Sequence, residues 1–366
     1  MTVRTDITIP AYSFAAGIAA GTILLGTSRI PASAYVTSAL ALAGALAIIA
    51  RLMLGHGRKI GEIIILFVLT GLFCAAIDAI PHIRETSGRT GTAETISQII
   101  KGIRFNDNTT APLVNALMTG DKSSLDRSVI SAFRDSGASH ILALSGLHLG
   151  LIYAVLLKIT SILGNSPRAR IIRSIFLVSA SGYYTIATGM PPSLVRAFLF
   201  IALRETAKLL HRNASPGRIF CTALMIQLAM DPSVITSAGF QLSYLAMAGI
   251  FFIYPKMKAW YPDAGNRSRS MLMNRMDLPG RIWDISALTL SCQLMTGPLA
   301  WLRFGTFPMN FLLTNLLAMP VTSLLMTLAV PAVALSALGI CPGLLISLID
   351  YAASTLIFIM EVIAGM

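Results

Sequence analysis

A serine and two histidines form the densest polar group in an otherwise apolar part of the sequence. Ser145 and His148 are three residues apart and would share one face of a helix, whereas His140 would lie about 80° from His148 around it. A serine beside a histidine suggests nucleophilic catalysis, in which the ring accepts the hydroxyl proton. However, no G-x-S-x-G elbow surrounds the serine, no obvious acid stands nearby, and H-E-x-x-H is absent.

The same residues have two further interpretations. Gly146 and Gly150 are four residues apart and would let a neighbouring helix approach, so that the polar side chains hydrogen-bond between helices. Alternatively, the polar side chains line a transport path, because polar groups inside a membrane usually face protein or water. The residues alone leave packing, transport and catalysis open.

A second polar group contains two arginines, Arg196 and Arg204. Pro191 and Pro192 should end one span, and Ser193 could cap the next helix, which puts Arg196 in its first turn. Arg196 could snorkel to the membrane surface or hold an anion in a cavity. Arg204 lies two turns further along and about 80° round the helix, so a passing anionic strand would meet both residues in turn.

A third group lies around Gln241 and Tyr244, which would share a helix face, with Ser243 between them in sequence. Both residues are uncharged, so hydrogen bonds between helices explain them simply. Tyr244 and Phe240 could also stack with the bases of a single-stranded nucleic acid. Asn315, five residues before Pro320, is a weaker polar signal.

Composition indicates which elements hold these residues. Of the 366 residues, 12% are charged and 55% are hydrophobic, and the mean hydropathy is +0.73. A soluble domain has roughly 25% charged residues, so this composition excludes a soluble enzyme, a disordered chain and a collagen-like repeat. It predicts an all-α, polytopic integral membrane protein with about 10–12 transmembrane helices. The net charge of +12 could suggest nucleic-acid binding, but basic cytoplasmic loops also explain it.

Uncharged runs of suitable length are distributed along the whole chain. The run 304–349 has 46 residues and is too long for one crossing, so it should contain at least two helices. Pro320, Pro331 and Pro342 are plausible breaks between them. The other predicted spans are 11–28, 30–50, 60–79, 141–160, 174–195, 193–210, 218–230, 232–255, 285–302 and 344–363.

Alternate loops between these spans are rich in Lys and Arg, which places them in the cytoplasm and residues 81–139 outside. Within 81–139, helical spacing of apolar residues predicts three short helices, near Ile96, Thr110 and Leu125. They would form a helical cap on the membrane domain or a periplasmic mouth that receives a substrate. The chain is thus divided into N-terminal transmembrane helices (1–80), a periplasmic helical segment (81–139) and a channel-type membrane domain (140–366).

The sequence contains no pattern that predicts a cofactor. Cys74, Cys221, Cys292 and Cys341 each lie alone in an apolar stretch, which is typical of small buried residues rather than of a disulfide framework or a metal site. No Walker A motif is present, so any energy for transport should come from a partner.

These groups, in this order, resemble the ComEC-type competence family of bacterial DNA-internalisation channels. The resemblance covers about residues 110–325, and its most specific stretches are SGLH and GFQLSYLA. The matching stretches are ALMTGDKSSL (116–125), FRDSGASHILALSGLHLGL (133–151), GMPPSLVRAFLF (189–200), DPSVITSAGFQLSYLA (231–246) and FGTFPMNFLLTNLLAMP (304–320).

The resemblance implies a multi-pass channel of the bacterial inner (plasma) membrane, not an enzyme, that passes single-stranded DNA from periplasm to cytoplasm during natural transformation. It also implies a cytoplasmic DNA-translocating ATPase or helicase and a periplasmic DNA receptor as partners, besides membrane lipid. The positions that it singles out are His140, Ser145, His148, Arg196, Gln241 and Ser243.

The sequence departs from the full family pattern in two places. Residues 81–139 lack the alternating pattern of an OB-type domain, and no His/Asp-rich metal motif of a metallo-β-lactamase-like domain occurs. A separate nuclease is therefore expected if one strand is degraded. Two alternative functions remain: an intramembrane hydrolase that uses Ser145 and His148, or a transporter of a small anionic solute centred on Arg196.

Overall fold

A computed structural model describes most of the chain. The described residues are 7–26, 37, 41, 44, 45, 48, 60–78, 91–164, 166–212, 215–260, 278–305, 310–340 and 342–365. All regular elements among them are helical. The chain divides into two compact units, Met1–Ser87 with Val195–Gln241, and Gly88–Leu194 with Leu242–Met366.

The first unit is built on a close contact between its first two helices. Helix α1 is Thr8–Gly26 and helix α2 is Ile60–Asp78. A Cβ atom added to Gly17 would overlap the Val68 carbonyl group, and one added to Gly71 would overlap the Phe14 carbonyl oxygen. The two backbones can therefore touch only because glycine has no side chain, which is how small residues bring membrane helices together.

The second unit begins with three short helices and continues with two longer ones. These five helices are α3 (Gly91–Gly102), α4 (Thr110–Thr119), α5 (Arg127–Asp135), α6 (Gly146–Thr160) and α7 (Pro167–Ala187). The three short helices confirm the helical prediction for the described part of 81–139. The next elements are α8 (Pro192–Leu209), α9 (Pro216–Met230) and a 3₁₀ turn at Pro232–Thr236, which belong to the first unit except for the start of α8.

The rest of the second unit contains the longest helices. In chain order, the elements are α10 (Ala238–Ala248), a π-helical turn (Gly249–Ile253), α11 (Tyr254–Lys258), α12 (Leu278–Phe304), α13 (Phe311–Ala337) and α14 (Gly343–Ala364). A single hydrophobic cluster joins α4 and α5 to α13 and α14, with Leu117, Phe133, Met326 and Leu356 almost completely buried. The short helices therefore share a core with two long apolar helices.

Among the residues that the structure describes, four helices are long and apolar enough to cross a membrane: Ala238–Lys258, Ile282–Arg303, Phe311–Ala337 and Gly343–Ala364. Four shorter apolar helices are Thr8–Ile23, Ile63–Ala76, Gly146–Thr160 and Pro216–Met230. The protein is thus an all-α, polytopic membrane protein, as predicted. The exact number of crossings and the division into three segments stay predictions, and most of the predicted span 30–50 lies outside the described residues.

Three predicted element boundaries were wrong. Helix α13 continues through the predicted breaks Pro320 and Pro331 and ends at Ala337, shortly before Gly339, which is left-handed with φ +76°. The predicted break at Pro342 is confirmed, because Pro342 is the N-cap residue of α14. The predicted span 141–160 is helical only from Gly146. The predicted span 232–255 begins with a 3₁₀ turn, and its membrane-spanning helix starts only at Ala238. Prolines are tolerated inside membrane helices because neighbouring groups can satisfy the freed backbone.

Candidate functional site

Ser145 and His148 meet at the start of α6, where Ser145 is the N-cap residue and His148 occupies the third helical position. The Ser145 backbone N–H donates to His148 Nδ1 at 3.1 Å, and the Ser145 hydroxyl lies 2.9 Å from the same nitrogen. The pair forms a capping box, in which the third residue of the helix satisfies the N-cap backbone. The three-residue spacing therefore caps the start of a helix, a role that was not among the interpretations of the sequence.

This contact fixes which nitrogen of His148 carries the proton in the neutral ring. A backbone N–H can only donate, so Nδ1 must accept and the proton must lie on Nε2. His148 is 1% exposed, and Nε2 is a buried atom without a hydrogen-bond partner in the described part of the chain. The site thus contains an N–H donor with its hydrogen-bonding capacity unused.

His140 has the opposite arrangement. Its Nδ1 lies 3.2 Å from the Gly137 carbonyl oxygen, which can only accept, so the proton of the neutral ring lies on Nδ1 and Nε2 is an acceptor. The ring is exposed, lies beside the Asn315 side chain and is close enough to His148 for the two to interact electrostatically. Because residues 140–145 are not helical, the predicted 80° separation of the two histidines was wrong.

Asn315 was only a weak signal in the sequence, yet α13 brings it to this site. Its Oδ1 is a buried atom without a hydrogen-bond partner among the described residues. The group formed by His140, Ser145, His148 and Asn315, which we name the His140–His148 cluster, therefore presents unused donor and acceptor atoms. Sequence spacing could not have identified Asn315, because about 170 residues separate it from the histidines.

Two long-range hydrogen bonds hold the backbone beside the cluster. The Ser193 hydroxyl donates to the Leu144 carbonyl oxygen at 2.8 Å, and the Tyr184 hydroxyl donates to that of Met118 at 2.6 Å. Ser193 therefore fixes the loop before α6 and does not cap α8, which begins at Pro192, so the capping prediction was wrong. The predicted helix approach at Gly150 is not seen either, because a Cβ there would meet nothing within 4 Å.

The other predicted residues lie on helices α8 and α10. Arg196 is partly buried and Arg204 is exposed, and both belong to the first unit. Gln241, also in the first unit, donates from Nε2 to the Ile235 carbonyl oxygen at 2.8 Å. Ser243 and Tyr244 belong to the second unit, where Tyr244 is 8% exposed. The structure groups His140, Ser145 and His148, and a common path for all eight residues stays a prediction.

Two buried acidic residues were not identified as candidates from the sequence. Asp350, in α14, is 8% exposed and Glu205, in α8, is 3% exposed. Lys208 forms an ion pair with Glu205 one helical turn away. The signal that could have found Asp350 is its position as the first charge after a 46-residue uncharged run, since ionisable residues inside apolar helices are usually functional or paired.

The geometry of Ser145 and His148 favours a structural role over catalysis. A distance of 2.9 Å would suit a nucleophile and its base. However, the Nδ1 lone pair also accepts the Ser145 backbone N–H, which lowers its capacity to take a proton from the hydroxyl. In the described ranges, no group of three or more His, Cys, Asp or Glu residues could hold a metal ion.

Comparison with known proteins places the chain in a family. Residues 117–366 match the family described as "Competence protein". The chain belongs to the competence protein family. The match includes α5 to α14 and thus the whole His140–His148 cluster. No solved structure matches the chain.

Three named proteins are similar to this chain. It is 32% identical to ComE operon protein 3 of Bacillus subtilis (strain 168) over 36% of this chain and 17% of the relative. It is 24% identical to Recombination protein 2 of Haemophilus influenzae (strain ATCC 51907 / DSM 11121 / KW20 / Rd), and 27% identical to the uncharacterized protein YcaI of Escherichia coli (strain K12). Each of these two matches covers 58% of this chain and 27% of the relative. The chain thus spans well under a third of the length of each relative.

Proposed function

We propose that the chain is a multi-pass channel of the bacterial inner membrane, which passes single-stranded DNA from periplasm to cytoplasm during natural transformation. Membership of the competence protein family over residues 117–366 is the observation that carries the proposal. The long apolar helices support a membrane location, and the names ComE operon protein 3 and Recombination protein 2 are in keeping with a role in competence.

The requirements of the substrate also fit the composition of the site. A single strand carries one negative charge per nucleotide and cannot cross hydrocarbon, so it needs polar groups and weak, successive contacts. In the His140–His148 cluster, the His148 Nε2–H is a donor without a partner in the described structure, which could hydrogen-bond a phosphate oxygen or a water molecule once the site opens. Arg196 and Arg204 would add positive charge on another part of the path.

The proposal includes three kinds of partner besides membrane lipid and DNA. A periplasmic receptor would deliver the strand, a cytoplasmic DNA-translocating ATPase or helicase would pull it inward, and a separate nuclease would degrade the second strand. The chain itself would act without a cofactor and would catalyse no reaction.

The experiment is a gene deletion in a naturally transformable host that encodes this chain. We expect transformation by marked DNA to fall to background, while labelled DNA still becomes protected from external nuclease in the periplasm. Complementation with the wild-type gene should restore transformation. Unchanged transformation of the deletion strain would refute the proposal. Loss of periplasmic protection would refute it in favour of an earlier role for the chain, in the entry of DNA into the periplasm.

An intramembrane hydrolase is the second candidate, because the Ser145 hydroxyl lies 2.9 Å from His148 Nδ1. A nucleophile cannot be removed without losing the reaction. A Ser145→Ala protein that supports normal transformation, at a wild-type level in the membrane, would therefore exclude this candidate. Loss of transformation together with loss of a hydrolase activity of the purified chain would favour it.

A further inference from the structure

The hairpin formed by α6 and α7 has a short connection, which the structure describes except for residue 165. After α6 ends at Thr160, a 3₁₀ turn covers Ser161–Leu163 and Gly164 is left-handed with φ +78°. Ser166 then caps α7, because its hydroxyl accepts the Ala169 backbone N–H at 3.1 Å. The last turn of α6 and the first turns of α7 therefore lie at the same end of the hairpin.

This end of the hairpin is basic. Lys158, Arg168 and Arg170 are exposed, and Arg173 is partly exposed one helical turn further on. The sequence from Ser136 to Arg204 contains no acidic residue. The net charge of this stretch of the sequence is therefore positive.

The same end of the hairpin also exposes apolar side chains. Ile162, in the connection, is 87% exposed, and Ile172 and Ile175 on α7 are each 58% exposed. Ile159, Ile171 and Phe176 are exposed as well. Exposed isoleucines among arginines are unfavourable in water, but they suit a boundary where apolar side chains enter the acyl region and basic groups reach the headgroups.

We propose that this surface, which we name the hairpin lipid site, binds anionic phospholipid. The arginines would hold the lipid phosphate through paired N–H donors, since a guanidinium matches phosphate geometry. The isoleucines would contact the first part of the acyl chains. The occupant is thus a lipid such as phosphatidylglycerol, and this inference does not depend on the proposed transport of DNA.

Lipid fits the surface better than a nucleic acid does. Surfaces that bind single strands combine basic residues with aromatic rings on which bases stack. Here the exposed apolar residues are almost all isoleucines, which offer no such ring. Free phosphate would require the arginines alone and would leave the isoleucines unexplained.

The test uses the full chain purified in a nonionic detergent and mixed with equal amounts of phosphatidylglycerol and phosphatidylcholine. Native mass spectrometry measures which lipid is retained and at what concentration. We expect the wild type to prefer phosphatidylglycerol, and the double variant Arg168→Gln/Arg170→Gln to bind it roughly 20-fold more weakly, because each basic residue near a membrane surface contributes about fivefold.

The matched control is Arg212→Gln/Arg218→Gln, which removes the same charge from two exposed arginines, one just after α8 and one in the first turn of α9. We expect this control to retain phosphatidylglycerol like the wild type. An equal loss in both double variants would overturn the inference, because the effect would then follow net charge alone.

Three further results would overturn the inference. Equal retention of both lipids by the wild type would overturn the inference without any variant, so a failure of the variant to fold does not prevent the test. Displacement of the lipid by millimolar inorganic phosphate would overturn it in favour of a free-anion site. Binding of a single-stranded oligonucleotide that depends on Arg168 and Arg170, with lipid retention unchanged, would overturn it in favour of a nucleic-acid contact.

Discussion

Asn106 donates two hydrogen bonds to the same carboxylate oxygen of Asp350, one from its backbone N–H and one from its side-chain amide, each 2.9 Å long. The two residues are 244 positions apart. Asp350 Oδ1 is buried and has no partner among the described residues. The connection between α3 and α4 is thus tied to a long apolar helix by bonds to one buried carboxylate.

Removal of the Asn106 side chain should destabilise the protein. We expect Asn106→Ala to lower the free energy of unfolding by about 1.5–3 kcal/mol, because hydrogen bonds to charged groups contribute that much and the carboxylate would lose a donor. Thermal unfolding in nonionic detergent measures the change.

The control for this pair is a double-mutant cycle with Asp350→Asn. That variant removes a buried charge but retains an oxygen acceptor, so its own stability should be near or above that of the wild type. In the Asp350→Asn background, Asn106→Ala should cost only about 0.5–1.5 kcal/mol. An equal cost of Asn106→Ala in both backgrounds would show that the carboxylate charge is irrelevant.

Acid should weaken the start of α4 through Asp107. The Thr109 backbone N–H donates to Asp107 Oδ1 at 2.9 Å and lowers the pKa of that carboxyl below its usual value, with the Ser354 hydroxyl adding a further hydrogen bond. A lowered pKa in the folded state means that the stabilisation is complete above the unfolded pKa of about 3.9 and is lost as the pH falls through the folded value.

We therefore expect Asp107→Asn to reduce the dependence of the melting temperature on pH below about pH 4. Asp126→Asn is the control, because Asp126 precedes α5 without a side-chain capping hydrogen bond. If Asp107→Asn left the acid dependence unchanged, or if both variants changed it equally, the assignment to Asp107 would be wrong.

Two substitutions of His148 should distinguish the role of its Nδ1 from that of its Nε2. Asparagine places an oxygen near the position of Nδ1, so His148→Asn should keep the bond from the Ser145 backbone N–H while it removes Nε2. His148→Ala removes both, and we expect it to lower the free energy of unfolding by about 1 kcal/mol through loss of the cap. The Asn variant should unfold like the wild type.

Transformation by the two His148 variants tests the proposed path. If the Nε2–H contacts the strand or its water, both variants should lose transformation although only His148→Ala loses stability. Normal transformation by the folded Asn variant would show that His148 serves packing alone. His140→Asn is the companion variant, because it can still donate to the Gly137 carbonyl oxygen while it lacks the Nε2 acceptor.

A side chain at Gly17 should push α1 away from α2. We expect Gly17→Ala to lower the free energy of unfolding by about 1–3 kcal/mol, the usual cost of overpacking, because the new Cβ would overlap the Val68 backbone. Gly150→Ala is the matched control: its Cβ would meet nothing within 4 Å, so it should stabilise α6 by up to about 1 kcal/mol. Equal effects of the two substitutions would contradict the close contact.

Hydropathy and helical spacing predicted much of this architecture. The apolar runs predicted the helices Thr8–Gly26, Ile60–Asp78 and Gly343–Ala364 closely, and the periodic isoleucines predicted Gly91–Gly102. The long uncharged run predicted two helices, and of its three prolines only Pro342 marks their boundary. Pro320 and Pro331 do not end α13, because proline breaks a helix in water more readily than in a membrane protein, where neighbouring groups satisfy the freed carbonyl.

The sequence by itself determined the class of protein, since 12% charged residues cannot cover a soluble surface of this size, and it supplied the motifs of the competence family. Only the tertiary structure decided how Ser145 and His148 contact each other, which residues lie beside them, and how Asn106 meets Asp350. Composition and periodicity act over neighbouring residues, whereas hydrogen bonds such as that between Asn106 and Asp350 depend on how distant segments pack. The same packing leaves the His148 Nε2–H without a partner in the described structure. No local sequence pattern predicts this unused donor.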